Sequence, residues 1–352
     1  MDRSCLHKTL SNKIWYLEWL RVLACLAVVL IHCFATPLDN MTIQEVGIGR
    51  AIAWTELLVV FGRWAVPVFL MVTGALLLDP SRKMGWHKVF CYVKRMATVL
   101  FVFGSLFALM ELVFDTKTFV LSMLPAAFLR MLQERSWAHL WYLYDLIGVY
   151  LLLPLLRSFV ASNEEGSQRV LLVVLFVTAL VVPTFDSATG AGIVRLAWLG
   201  SSVFYVLLGW YLHRFGARLR VVLPIGAACA VVCAAMAGGG IAVCGEYLSW
   251  AWVPSSPLVA AYSSAVFSVV KKWGSEPRAL LVARTVCAVS SLSFAVYLVH
   301  PVFCNLFYKA FDWVAAPLPP VAFESVTLAV VFSLSMMLAA LLKRVPLMRG
   351  LL

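Results

Sequence analysis

The chain has 352 residues, 63% of them hydrophobic and 13% charged, with a mean hydropathy of +0.93. That composition excludes an ordinary soluble domain and a disordered chain alike, and points to an all-α polytopic membrane protein. The formal charge of +11 does not imply nucleic acid, because the basic residues form short clusters between apolar segments with no aromatic interleaving.

The first apolar run, near residues 17–36, is about 20 residues long and lacks a small-residue cleavage site, so it reads as a retained span. Further runs long enough to span lie near 57–78, 96–114, 139–158, 169–186, 195–213, 221–243, 249–270, 286–308 and 321–342. Ten spans are therefore expected, in a single transmembrane domain covering 1–352. The fifth is interrupted toward its end by Pro183, and the seventh is loosened by Gly238-Gly239-Gly240. Between the third and fourth spans, Phe119 to Leu132 is apolar and reads as a short interfacial helix.

With ten spans both termini share a side. Segments on that side hold 21 of the 28 Lys and Arg residues, so the positive-inside rule places both termini in the cytoplasm. Nine cysteines fall mostly within spans, with no Cys-x-x-Cys or paired-histidine spacing; neither a zinc site nor a disulfide framework is expected.

Ionisable groups in hydrocarbon are costly and mark function, and the first span carries two. Arg21 and His32 are eleven residues apart, which on a helix gives nearly the same face at depths differing by about 16 Å. Ala24, Cys25, Val28 and Val29 lie between them on that face and are small enough to leave a groove for an acyl chain. A neutral imidazole in a low-dielectric pocket can serve as general base toward a hydroxyl, although a histidine that only bonds a neighbouring helix has the same sequence appearance. Glu18 stands three residues before Arg21, so Arg21 reads either as a snorkelling partner of that glutamate or as a fork for a phosphate or carbonyl.

The second span contains Arg63 four residues before Pro67, a proline that frees a backbone carbonyl at membrane depth. Lys94 and Arg95 open the third span, where they either retain the loop in the cytoplasm or receive donor phosphates. His139 and Tyr142 begin the fourth, beside a Trp and Tyr pair typical of an aromatic belt. In the ninth, Tyr297 and His300 share a face just before Pro301. Neither the P-loop nor the Rossmann glycine signature is present.

These motifs resemble the membrane acyltransferase-3 family. The Arg21-x10-His32 spacing is similar to its first-span hallmark, the Arg63 to Gly74 run to its second-span pattern, and Ser293 to Pro301 to its Ser…Tyr-Leu-x-His-Pro pattern; the branch most resembled O-acetylates enterobacterial common antigen. The family's Arg-x-x-Arg near the third span is not reproduced, since Arg95 is followed by Met96, Ala97 and Thr98. The resemblance implies about ten helices in the bacterial inner membrane. It also implies transfer of an acyl group, usually acetyl, from cytoplasmic acyl-CoA to a hydroxyl of an envelope polysaccharide or lipid-linked glycan. His32 would be the catalytic histidine and Arg21 its paired arginine; no bound cofactor or metal is implied, with acetyl-CoA entering as a substrate. Glu18, Arg63, Arg95, His139, Tyr142, Tyr297 and His300 are the further candidates for donor or acceptor binding. A transporter or flippase of a glycan or small metabolite is the alternative from another class, because intramembrane His, Arg and Glu also build substrate pathways. No inverted repeat between the halves supports it.

Overall fold

The computed structural model describes residues 13–82, 84–162, 164–192, 200–275, 277, 279–310 and 319–352, and among these it contains helices and loops but no strand. Eight helices are long and apolar enough to cross a membrane. They are α1 (Trp15–Asn40), α2 (Ile48–Leu77), α3 (Trp86–Thr116), α5 (Ala138–Ser162), α6 (Glu165–Thr189), α8 (Leu219–Cys244), α10 (Leu280–Ala310) and α11 (Val321–Leu342). The shorter α7 (Ser201–Arg214) and α9 (Pro257–Trp273) fall on the two remaining expected segments. The start of the sixth expected span, 195–199, lies outside the described residues. The short α4 (Met123–Leu132) occupies the later part of the apolar stretch expected between the third and fourth spans. The chain is thus an all-α multi-pass membrane protein.

Several boundaries differ from the sequence expectation, each for a local reason. Helix α1 runs on through Pro37 to Asn40, because a proline late in a helix removes one hydrogen bond that the last turn can forgo. Inside α2 the regular helix stops at Gly62 and resumes at Ala65. Pro67 has no N–H to give the carbonyl of Arg63 and its ring crowds that carbonyl, so the break falls at Arg63 and Trp64. Pro183 does not end α6; a wide π-turn at Val177–Val181 precedes it, with the Val182 N–H reaching back to Val177. The glycine-loosened end of α8 closes with a second such turn, Gly240–Cys244. Helix α9 begins eight residues later than the apolar run that predicted it. Pro257 fixes its first turn, the Ser256 hydroxyl accepts the Leu258 N–H at 3.3 Å, and residue 256 is held extended by the following proline. Residues 249–256 therefore form a 3₁₀ turn, Ser249–Ala251, and a loop rather than the start of a span.

The chain divides into two compact units. The first holds residues 1–76 and 165–341. In it α1 packs on α10 and α2, α8 packs on α2 and α9, and α9 also touches α1 and α7. Lipid tails are as apolar as leucine, so small residues and close backbone approach replace the hydrophobic drive between such helices. A Cβ at Gly74 of α2 would lie 1.8 Å from the Val206 carbonyl oxygen of α7, and one at Gly209 of α7 would lie 2.1 Å from that of Met71. The two helices touch backbone to backbone there, each glycine admitting the other strand of peptide.

The second unit holds residues 77–164 and 342–352. Here α3 packs on α4 and α5. Met131 closes over Gly104, whose Cβ would sit 2.6 Å from its side chain, while Ser136 donates to the Gly104 carbonyl at 2.9 Å and the Tyr144 hydroxyl donates to the carbonyl of Met131. Arg157 donates to the carbonyls of Leu77 and Arg82. The ring of Phe107 stacks on Trp137 at 4.4 Å.

The glycine contact yields a prediction. Gly74→Ala and Gly209→Ala should each destabilise the detergent-solubilised protein by about 1–3 kcal/mol, seen as a lower thermal midpoint. Gly148→Ala, where a Cβ meets nothing within 4 Å, should leave the midpoint within error of the parent.

Candidate active site

The seam between α1 and α10 carries a ladder of polar side chains. At its N-terminal end, Glu18 accepts the Ser290 hydroxyl at 2.5 Å and pairs with Lys13 at 3.2 Å and Arg21 at 3.6 Å. Ser293 turns its own hydroxyl onto the carbonyl of Ser290 at 2.8 Å, and the Cys25 thiol faces the Ser293 carbonyl at 3.9 Å. Farther along, the ring of His32 lies 4.9 Å from that of His300, and the thiols of Cys33 and Cys304 are 3.9 Å apart. Successive rungs are about two turns apart on α1, so a single face of each helix supplies them all.

The two histidines differ in environment. His300 is fully buried, with Nδ1 3.1 Å from the Val296 carbonyl oxygen and Tyr297 at 6.1 Å between ring centroids. A donated Nδ1–H there leaves Nε2 as the acceptor nitrogen. His32 is half-buried, and Arg63 at the break in α2 lies within electrostatic reach of it. Asp39 and Tyr262 also act on Arg63. The break at Pro67 thus places Arg63 where its charge acts on His32.

The structure groups the remaining candidates as follows. Glu18 and Arg21 form the ion cluster with Lys13, at the opposite end of the ladder from the imidazoles. The face between Arg21 and His32 is not the open groove its small residues suggested. Ala24, Cys25, Val28 and Val29 are each at most 2% exposed, because small side chains let the neighbouring helices close in rather than leaving space.

Three candidates belong to the second unit. Arg95 donates from Nε to the Leu351 carbonyl at 2.8 Å and from Nη2 to that of Leu352 at 3.0 Å. Burial and the Arg95 charge push the ammonium of nearby Lys343 below its ordinary pKa. His139 is buried beside Phe107 and Trp137, and Tyr142 is buried as well.

One turn beyond His32 along α1 there is a cavity of about 150 Å³, lined by Leu38 and Asp39 of α1, Leu58 and Arg63 of α2, and Tyr247 and Trp252 of the loop before α9. Its loop wall is pinned from three helices. Tyr205 donates to the Pro254 carbonyl at 2.5 Å, Cys233 to that of Ala251 at 3.5 Å, and Thr184 to that of Ser255 at 3.3 Å. The sequence reading missed Asp39, Tyr247 and Trp252. Asp39 stands seven residues after His32 and so shares its face; Tyr247 lies between two expected spans and Trp252 inside the one expected over 249–270, and neither carries a sequence signal for a site.

These features define an integral membrane protein with paired imidazoles and an arginine-lined cavity at one end of a polar helix seam. A sequence model of a family described as an acyltransferase domain matches residues 14–343, and the chain belongs to that family, the membrane acyltransferase-3 proteins. It is accordingly a membrane acyltransferase. No curated protein and no solved structure matches the chain significantly.

The ion cluster supports a stability prediction. Glu18→Ala leaves Lys13, Arg21 and the Ser290 hydroxyl without their shared acceptor and should cost about 1–3 kcal/mol. Glu18→Gln, which keeps an acceptor oxygen for Ser290, should cost less; thermal unfolding of the purified variants measures both.

Proposed function

We propose that this protein transfers an acyl group, in the first instance acetyl, from cytoplasmic acyl-CoA to a hydroxyl of an envelope polysaccharide or lipid-linked sugar in a bacterial inner membrane, with both termini cytoplasmic. The observation that carries this reading is the half-buried imidazole of His32 set against the buried imidazole of His300, in a chain that belongs to an acyltransferase family.

In the proposed reaction His32 takes the proton of the acceptor hydroxyl as its oxygen attacks the thioester carbonyl. The carbon–sulfur bond then breaks, the CoA sulfur leaves with the electron pair, and the proton held on His32 passes to it, giving an ester and a free thiol. Arg63, the guanidinium within reach of the imidazole, offsets the negative charge that develops on the carbonyl oxygen. His300, held by the Val296 carbonyl, fixes the orientation of the His32 ring from behind.

Arg21 has a different part. The rise of a helix sets it about 16 Å from His32, too far to act on the reacting carbonyl. It serves the donor's phosphates from the cytoplasmic end, as the basic cluster with Lys13 allows. Resemblance to the branch that O-acetylates enterobacterial common antigen supports an envelope glycan as the natural acceptor.

The test is acetyl-CoA turnover by the purified full chain with a lipid-linked sugar extract as acceptor. His32→Ala should lower kcat by about 10²–10⁴-fold with an unchanged thermal midpoint. Arg21→Ala should chiefly raise the KM for acetyl-CoA, and Arg21→Lys should recover part of that loss. Full activity in His32→Ala would overturn the assignment, and a protein that moves the sugar across a bilayer without consuming acetyl-CoA would be a transporter.

A further inference from the structure

The cavity beyond His32 is not needed to explain the donor side of the reaction, and its chemistry is specific. It combines one carboxylate, Asp39, one guanidinium, Arg63, and one indole, Trp252, with the Tyr247 phenol and the Ser249 hydroxyl. The Tyr247 hydroxyl oxygen and the Arg63 Nε are both buried and have no hydrogen-bond partner among the described residues. Buried polar groups are nearly always satisfied, and these two belong to residues on different walls of the cavity, one on α2 and one on the loop. Burial and the Asp39 carboxylate hold the Tyr247 phenol above its ordinary pKa, so it remains a hydrogen-bond donor at neutral pH.

We propose that this cavity is the acceptor subsite and takes a single uncharged, hydroxylated ring, a pyranose, with Asp39 and Tyr247 reading its hydroxyls and Trp252 covering its apolar face. This rests on the acyltransferase reading above. Its size supports a single ring: about 150 Å³ falls well short of the roughly 300–1,000 Å³ of sites for larger ligands. The charge argument selects an uncharged one. A uronate or phosphate would meet the Asp39 carboxylate at the mouth, whereas Asp39 and Arg63 together add no net charge. An aromatic face beside fixed polar groups suits a sugar, which presents C–H bonds on one face and hydroxyls at its edge. Position completes the argument. Asp39 lies two turns from His32 on the same face of α1, and Arg63 is common to the cavity and the imidazole, so a ring seated here directs a hydroxyl toward the base. The pinned loop makes the subsite preorganised.

Octyl β-glucoside and octyl β-glucuronide, each below its micellar concentration, serve as probes with the full chain in liposomes. Three rates separate the possibilities: acetyl-CoA hydrolysis without acceptor, acetyl transfer to each glycoside, and retention of radiolabelled glycoside by the protein. Tyr247→Phe and Trp252→Ala should raise the glucoside KM about tenfold and leave hydrolysis and the acetyl-CoA KM unchanged. Asp39→Asn should shift the ratio of glucoside to glucuronide transfer at least tenfold toward the glucuronide, an effect that a purely structural role would not produce. Unchanged glucoside KM and unchanged preference in all three variants would overturn the subsite. If the wild type consumes no acetyl-CoA, the enzymatic reading fails on its own, and the retention assay decides the cavity. Glucoside retention lost in Tyr247→Phe and Trp252→Ala supports a ring-binding site, and no retention by the wild type overturns it.

Discussion

The polar seam between α1 and α10 sets the register on which the His32–His300 pair depends. Within a bilayer, helices gain nothing from hiding apolar surface from one another, so their register must come from close packing and from polar groups that find partners across the interface. Glu18 with Ser290 sets one end of that register, and Cys33 against Cys304 marks the other. His32 meets His300 because both ends are fixed; a slip of one turn, about 5.4 Å, would part the two rings. The same small residues that make the seam tight also close the space along it, and the cavity lined by Leu38, Asp39 and Arg63 lies past His32.

Proline placement supplies the second constraint. Pro67 breaks α2 where Arg63 stands, and Arg63 there lines the cavity and acts on the His32 imidazole by its charge. Irregular backbone at membrane depth is tolerated where it lines a cavity rather than lipid. Pro257 acts in the same sense from the other side. By delaying the start of α9 it frees residues 249–256 to form the loop wall, which Tyr205, Cys233 and Thr184 then tie down. Two prolines thus convert what would be continuous spans into the walls of a polar site.

The ion cluster and the cavity occupy opposite ends of α1, an arrangement suited to a reaction whose two substrates differ in solubility and in point of entry. In the proposed reaction a phosphate-bearing donor meets the Lys13 and Arg21 end, and a neutral ring the Asp39 end. His32 lies between them on the helix face they share. On the proposed reading, recognition falls to the two ends of a single helix and the chemistry to His32 between them, so the length of α1 and the register of the seam would together set the distance that the substrates must bridge.

Hydropathy and periodicity by themselves determined the helical class and the position of nearly every long helix, and they single out His32 and His300 as candidates, because charged or polar groups in apolar runs stand out without any tertiary information. The shared face of His32 and Asp39 was also legible, yet was passed over once the first span had been ended before Pro37. The tertiary structure alone decided which histidine meets which, that the small-residue face of α1 is filled rather than open, and that Tyr247 and Trp252 line a cavity with Asp39 and Arg63. Those facts depend on contacts between helices far apart in sequence, and on a loop whose apolar composition imitates a span. Local pattern reports how a segment folds against its own solvent; which segments become its neighbours follows from packing, and packing is settled only by the whole chain at once.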